Sequence, residues 1–215
     1  MPDASTFWLF AAASLAFLVI PGPSVVYIVT RSLAQGRRAG LTSALGVQAG
    51  GLVHVLGAAV GVSALIASSA TAFTVVKYAG AAYLVMLGVR KLLARAAGEV
   101  AAEREQPGPT PAARLFWQGA LVNALNPKTA LFFLAFLPQF VDPAAGAVAP
   151  QMLVLGVLFL TLAVMSDSTY ALIAGTAGTR LRRTAASNRV LERLSGGVFV
   201  GLGVAAALAG EPRQR

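Results

Sequence analysis

Apolar residues run along this chain in long stretches rather than in strict alternation, and the charged residues fall between the stretches. Six stretches occur, at residues 7–29, 41–67, 71–93, 115–141, 152–174 and 194–209. A helix needs about 20 largely apolar residues to cross a bilayer. The pattern therefore predicts an all-α, polytopic membrane protein with six transmembrane helices. The last stretch is the weakest, because the run between Arg193 and Glu211 sits near the lower length limit for a span. A cleaved signal peptide is the competing reading of the first stretch, since Ala11-Ala12-Ala13 resembles a small-residue cleavage site. No basic segment precedes it and the apolar run continues well beyond it, so a retained span is expected.

Composition sharpens this picture. Only 12% of residues are charged against 57% apolar, where soluble domains carry about a quarter charged. A soluble enzyme and a disordered tail are excluded. A net charge of +9 would point to nucleic acid if the basic residues lined one polar face, so their positions decide. Arg31, Arg37 and Arg38 lie in the first loop; Arg90, Lys91, Arg95, Arg104 and Arg114 lie in the third; Arg180, Arg182, Arg183, Arg189 and Arg193 lie in the fifth. Loops two and four have none. Basic residues stay cytoplasmic, so loops one, three and five face the cytoplasm and both termini face outward. No nucleic-acid partner follows. With no cysteine and one histidine, the chain offers no disulfide, no thiol nucleophile and no zinc set, so neither metal nor cofactor is expected.

Residues 98–113 form a polar, apolar-poor linker between a first unit, 1–97, and a second, 114–215. Three spans per unit make the second enter the membrane in the opposite sense to the first. That parity is the arrangement of two inverted three-helix repeats. A weaker echo supports it, because Gly80-Ala81-Ala82-Tyr83-Leu84 resembles Gly196-Gly197-Val198-Phe199-Val200.

Helices 1 and 4 are predicted to be broken. Pro21-Gly22-Pro23 and Asn126-Pro127-Lys128 each fall about midway along a span, roughly half the chain apart. Each proline lacks an N–H, so the carbonyls of Phe17, Val19 and Asn123 lose their helical donor. An unsatisfied carbonyl in hydrocarbon costs several kcal/mol, and such a break survives only where it is buried in protein or lines a polar cavity. Matched breaks in two halves are the sequence pointer to a transport site, with a packing kink as the plain alternative. Free N–H groups at Ser24, Val25 and Val26 and at Thr129, Ala130 and Leu131 would attract an anion, and the freed carbonyls a cation. A zwitterionic amino acid presents both charges. The candidate substrate-binding residues are thus Pro21, Gly22, Pro23, Ser24, Asn126, Pro127, Lys128 and Thr129, joined by Asp167.

Ionisable residues inside spans cost about 2.5–3.5 kcal/mol each on insertion scales and are functional candidates by default. Asp167 and Lys128 are read as substrate charge partners or proton carriers, with a mutual salt bridge as the structural alternative. Lys77 lies near the outer end of its span and can snorkel to the interface. His54 follows Gly46-x3-Gly50-x3-His54, on a helix face lined by small residues. It either hydrogen-bonds across a close helix contact or titrates in proton coupling together with Asp167.

These motifs, in this order, resemble the LysE/RhtB family of amino-acid exporters. The resemblance rests on Pro21-Gly22-Pro23, Gly46-x3-Gly50-x3-His54, Lys77-Tyr78-x-Gly80-x2-Tyr83-Leu84-x3-Gly88 and Asn123-x2-Asn126-Pro127-Lys128-x2-Leu131-Phe132-Phe133-x4-Leu137-Pro138-Gln139-Phe140. Gly196-x2-Phe199-x3-Gly203 is similar too, although Val204-Ala205 stand where a basic residue often follows the glycine. The resemblance implies a proton-coupled secondary exporter of small amino acids or their derivatives across a bacterial inner membrane. Spans two to six present a single acid, which favours a neutral amino acid such as threonine or homoserine over lysine or arginine. Partners are then the amino-acid substrate and the bilayer, with a homodimer as the assembly considered. Two other classes stand against this one. An intramembrane hydrolase would pair Ser24 or Ser166 with His54, but no Gly-x-Ser-x-Gly elbow occurs. An ion channel would need no matched breaks, and an ATP-driven pump lacks its Gly-x4-Gly-Lys-Ser/Thr loop.

Overall fold

The computed structural model describes residues 3–62 and 110–177, with isolated helical positions at 71, 74, 75, 78, 79, 82, 85, 86, 89 and 204. Among the described residues every element is helical. Most of the third and sixth expected spans, Lys77, most of the third-to-sixth-span echo, the fifth-loop arginines and the third-loop basic residues other than Arg114 lie outside the described residues.

Helix α1, Ala4–Val19, starts where Asp3 caps it by accepting from the Thr6 N–H at 2.7 Å and the Ser5 hydroxyl at 2.8 Å. These bonds, the Thr6 backbone N–H first, hold the Asp3 carboxyl below its ordinary range. The helix stops before Pro21, as its missing N–H requires. Phe10, Ala11, Ser14 and Phe17 form its buried stripe at helical spacing, while Trp8, Leu9, Leu15 and Val19 stay exposed.

Helix α2, Pro23–Gly57, continues as one wide π-helical turn over Ala58–Val62. It is not straight. Gly36 has φ 81° and ψ −179°, a region open almost only to glycine, and it divides α2 into two arms. The arms fold back on each other: Ser32 packs on Gly40, and Ile28 clusters with Ala44 and Val47, each pair roughly equidistant from Gly36. The first cytoplasmic loop expected from the arginines is thus a one-residue turn. A Cβ at Gly36 would meet no atom within 4 Å, so any penalty for a side chain there comes from backbone strain alone. Gly36→Ala should lose about 1–3 kcal/mol of stability. Gly57→Ala, equally open but helical, should not. Unfolding in mixed detergent checks this, and a wild-type midpoint for Gly36→Ala would contradict it.

Helix α3, Ala112–Ala124, and helix α4, Pro127–Leu131, are separated by a break at Leu125-Asn126. A π turn at Phe132–Phe136 and a 3₁₀ turn at Leu137–Phe140 extend α4, and the two segments meet at 46°. Helix α5, Val148–Ala177, closes the described part. By length and composition two helical stretches could cross a membrane, Pro23–Gly61, which Gly36 divides, and Val148–Thr176, and a third span results if the bent α3–α4 pair is taken as one.

Side-chain register gives the helix directions. Along the first arm of α2, Ser24 meets Asn123 and Tyr27 meets Leu115, so this arm runs antiparallel to α3. Along the second arm, Gly46 meets Phe116 and Gly50 meets Ala120, so this arm runs parallel to α3. A Cβ at Gly46 or Gly50 would overlap those backbone carbonyls, which is why the small-residue face expected from the sequence is needed here. Helix α5 runs antiparallel to that second arm, with Gly175 at Arg37, Asp167 at Gln48 and Gly156 at Val55. The core is aromatic. Phe17, Phe132 and Phe159 pack as tilted rings with centroid distances of 4.4 and 4.7 Å, joining α1, the π turn after α4 and α5 just beside both breaks.

Candidate functional site

The two breaks face each other. Pro23 and Pro127 each stand at the first position of a helix, where a missing N–H is harmless and the fixed φ suits the first turn. Asn126 caps α4 by accepting the Lys128 N–H at 3.0 Å. Its amide then donates to the Ser24 hydroxyl at 2.9 Å, tying the second break to the first. Ser24 donates in turn to Asn123 Oδ1 at 3.1 Å, and Thr129 donates to the same oxygen at 2.9 Å. Asn123 Nδ2 donates to the Val47 carbonyl at 2.7 Å. One buried asparagine therefore holds both breaks and the second arm of α2.

All three carbonyls freed by the prolines have a side-chain donor from elsewhere in the chain. Lys128 Nζ donates to the Phe17 carbonyl at 3.0 Å and to the neighbouring Ile20 carbonyl at 2.6 Å. The Tyr170 hydroxyl donates to Val19 at 2.6 Å. His54 Nε2 lies 2.7 Å from the Asn123 carbonyl, and because a carbonyl only accepts, that nitrogen carries a hydrogen. The Asn126 N–H shares the same carbonyl at 2.9 Å. The donor end of the expectation needs a correction. Val26 N–H bonds Gly22 and Ala130 N–H bonds Asn126, because each helix already starts at its proline. The first-turn N–H groups that lack a partner within their own helix are those of Ser24, Val25 and Thr129.

Between the breaks lies a cavity of about 40 Å³, room for roughly three waters. Of the residues singled out from the sequence, Gly22, Ser24, Asn126, Lys128, Thr129 and Asp167 line it. Pro21, Pro23 and Pro127 do not; they shape the backbone around it. His54 does not line it either, and its ring stacks beside Phe133 at 6.2 Å while it caps the second break. Apolar surface comes from Phe17, Leu18, Val25, Val47, Phe159 and Ala163.

Asp167 and Lys128 are 4% and 8% exposed, so an acid and a base both line this one cavity. Asp167 accepts from Gln48 Nε2 at 2.6 Å. Gln48 lines the cavity and was not singled out from the sequence, nor was Asn123 as more than part of a motif. A search for ionisable residues passes over both. The signal was present, as a single amide within the glycine-lined stretch Gly46-Val47-Gln48-Ala49-Gly50. The serine and histidine of a hydrolase are not set up as a pair: Ser24 donates to Asn123 Oδ1, and the His54 Nε2 hydrogen goes to the Asn123 carbonyl.

A family model described as LysE type translocator matches residues 15–210. An uncharacterized membrane protein of Vibrio cholerae is 34% identical over 206 residues, covering 94% of this chain and 97% of its own. A homoserine/homoserine lactone efflux protein of Salmonella typhimurium is 34% identical over 173 residues, 78% of this chain and 80% of its own. A leucine efflux protein of an Enterobacter species is 29% identical over 206 residues, 94% of each chain. No solved structure matches.

Proposed function

Because the chain belongs to the LysE type translocator family, a family of membrane transporters, we propose that it exports a small neutral amino acid or derivative across the bacterial inner membrane, coupled to protons. The observation that carries this reading is the meeting of the two breaks around one cavity lined by Asp167, Lys128 and the first-turn residues Ser24, Val25 and Thr129. The substrate carboxylate faces the N–H groups of Ser24, Val25 and Thr129, where two helix starts concentrate positive potential. The substrate ammonium faces Asp167, whose carboxylate Gln48 orients. Lys128 balances Asp167, so a neutral zwitterion adds no net charge, whereas a lysine side chain would bring a cation without a partner.

The apolar lining from Leu18, Val25, Val47 and Phe159 suits a short aliphatic side chain. Homoserine and leucine, the substrates in the relatives' names, both fit that description. Room for about three waters takes the charged head group and little more, so a side chain enters only as the helices move apart. Six spans in two inverted repeats, with both termini outward, supply that motion by rocking one repeat against the other around the fixed site. The antiparallel pairing of the first arm of α2 with α3, and of its second arm with α5, supports the inverted relation.

Purified protein in vesicles, loaded with a panel of labelled amino acids, tests the reading. Saturable efflux of one or more neutral amino acids, accelerated by a proton gradient, is the expected result. Efflux of lysine or arginine in preference to every neutral amino acid would contradict the substrate class, and no gradient effect would contradict the coupling.

A further inference from the structure

The C-terminal end of α1 is built to hold a cation. Its last carbonyls carry the negative end of the helix dipole, and those of Phe17 and Ile20 turn away from any helical donor. Lys128 Nζ sits 3.0 and 2.6 Å from them and 4.3 Å from the centroid of the Phe17 ring, whose face is also negative. The lysine reaches this point from the other half of the chain past Gly22, where a Cβ would come 2.8 Å from Lys128 Cδ. Glycine is thus what lets the side chain thread through the first break.

In carriers made of broken helices, unwound carbonyls and half-helix C-terminal ends coordinate the coupling cation. We propose that the end of α1 is a primary-ammonium site and that Lys128 is its tethered occupant, supplying from within the chain a cation that such a site otherwise takes from solution. Carbonyl oxygens beside a ring face suit the directional N–H donors of an ammonium, whereas a sodium ion would meet the ring where it needs oxygen. Lys128 is then a positioning residue: its ammonium keeps the freed carbonyls satisfied and leaves Asp167 as the group that meets the travelling substrate. Export follows with no sodium requirement. The ammonium site stands on this geometry alone, while its part in transport rests on the exporter reading above.

Lys128→Ala tests it, because the deletion leaves a gap the length of propylammonium. The melting temperature of the detergent-solubilised variant should rise by about 3–6 °C at ten times the Kd of propylammonium. Tetramethylammonium, which has no N–H, and sodium should leave it unchanged. Wild-type protein, with the site filled, should respond to none of the three. In vesicles the variant should export at least tenfold more slowly, with propylammonium restoring part of the rate. Equal responses of Lys128→Ala to propylammonium and tetramethylammonium, or none to either, would overturn the site. Where the variant does not fold unaided, the yield of folded protein purified with each ion present is the readout, and equal yields would overturn it likewise. Selective stabilisation by propylammonium in a protein whose wild type exports no amino acid would uphold the site and count against the exporter reading instead.

Discussion

Replacing Asn123 by Leu is expected to cost about 2–5 kcal/mol of stability and to stop transport. The side chain accepts from Ser24 and Thr129 and donates to the Val47 carbonyl, all of it buried. An interhelical hydrogen bond within a membrane contributes about 0.6 kcal/mol on average and up to about 1.7. Three such bonds lost together give the lower part of the range. Leaving the Ser24 and Thr129 hydroxyl protons without their acceptor adds to it, since each orphaned donor costs about 1–3 kcal/mol. Leucine has the same branching and number of heavy atoms and is somewhat larger, so no cavity contributes. Unfolding of the detergent-solubilised variant measures the first effect and vesicle efflux the second. A variant with the wild-type unfolding midpoint would show that the two breaks are held together by something other than this amide.

The second large effect is expected at Asp167. Asp167→Asn keeps the shape of the side chain and one acceptor for Gln48, yet it can neither carry charge nor exchange a proton. Gradient-driven export should therefore fall to background, at least a hundredfold below wild type, in a protein that still folds and inserts. Whether the carboxylate binds the substrate ammonium or carries the proton is separable. Loss of substrate affinity marks the first role. Retained binding, with gradient-free exchange of substrate for substrate, marks the second.

The sequence made the helices and their faults legible but not their partners. The apolar runs and the three prolines gave the breaks and named Phe17, Val19 and Asn123 as the carbonyls left without helical donors. What fills those carbonyls depends on the register between helices, which a one-dimensional pattern does not hold. Tyr170, Lys128 and His54 reach them across 151, 111 and 69 positions of the chain. Gln48, and the side-chain role of Asn123, escaped notice for a different reason. An amide carries no charge, so it barely changes the hydropathy of a span, although burying it imposes the same demand for a partner. The turn at Gly36 was hidden too, because a single glycine among arginines reads as an ordinary loop. The free N–H groups expected at Val26, Ala130 and Leu131 lie one or two residues too far into their helices, which begin at Pro23 and Pro127 rather than after them.

Asp167 and Lys128 line the same cavity, so a purely structural ion pair is the alternative that matters most. Breaking a buried pair from one side is destabilising, whereas replacing both members by neutral groups is often neutral or stabilising. The most direct measurement is gradient-driven export of a labelled neutral amino acid by vesicles containing the double variant Asp167→Asn, Lys128→Met beside each single variant. A substrate-facing Asp167 gives a double variant as inactive as Asp167→Asn alone. Export restored to near wild type in the double variant would contradict it, and would make both residues part of the architecture rather than of the transport site.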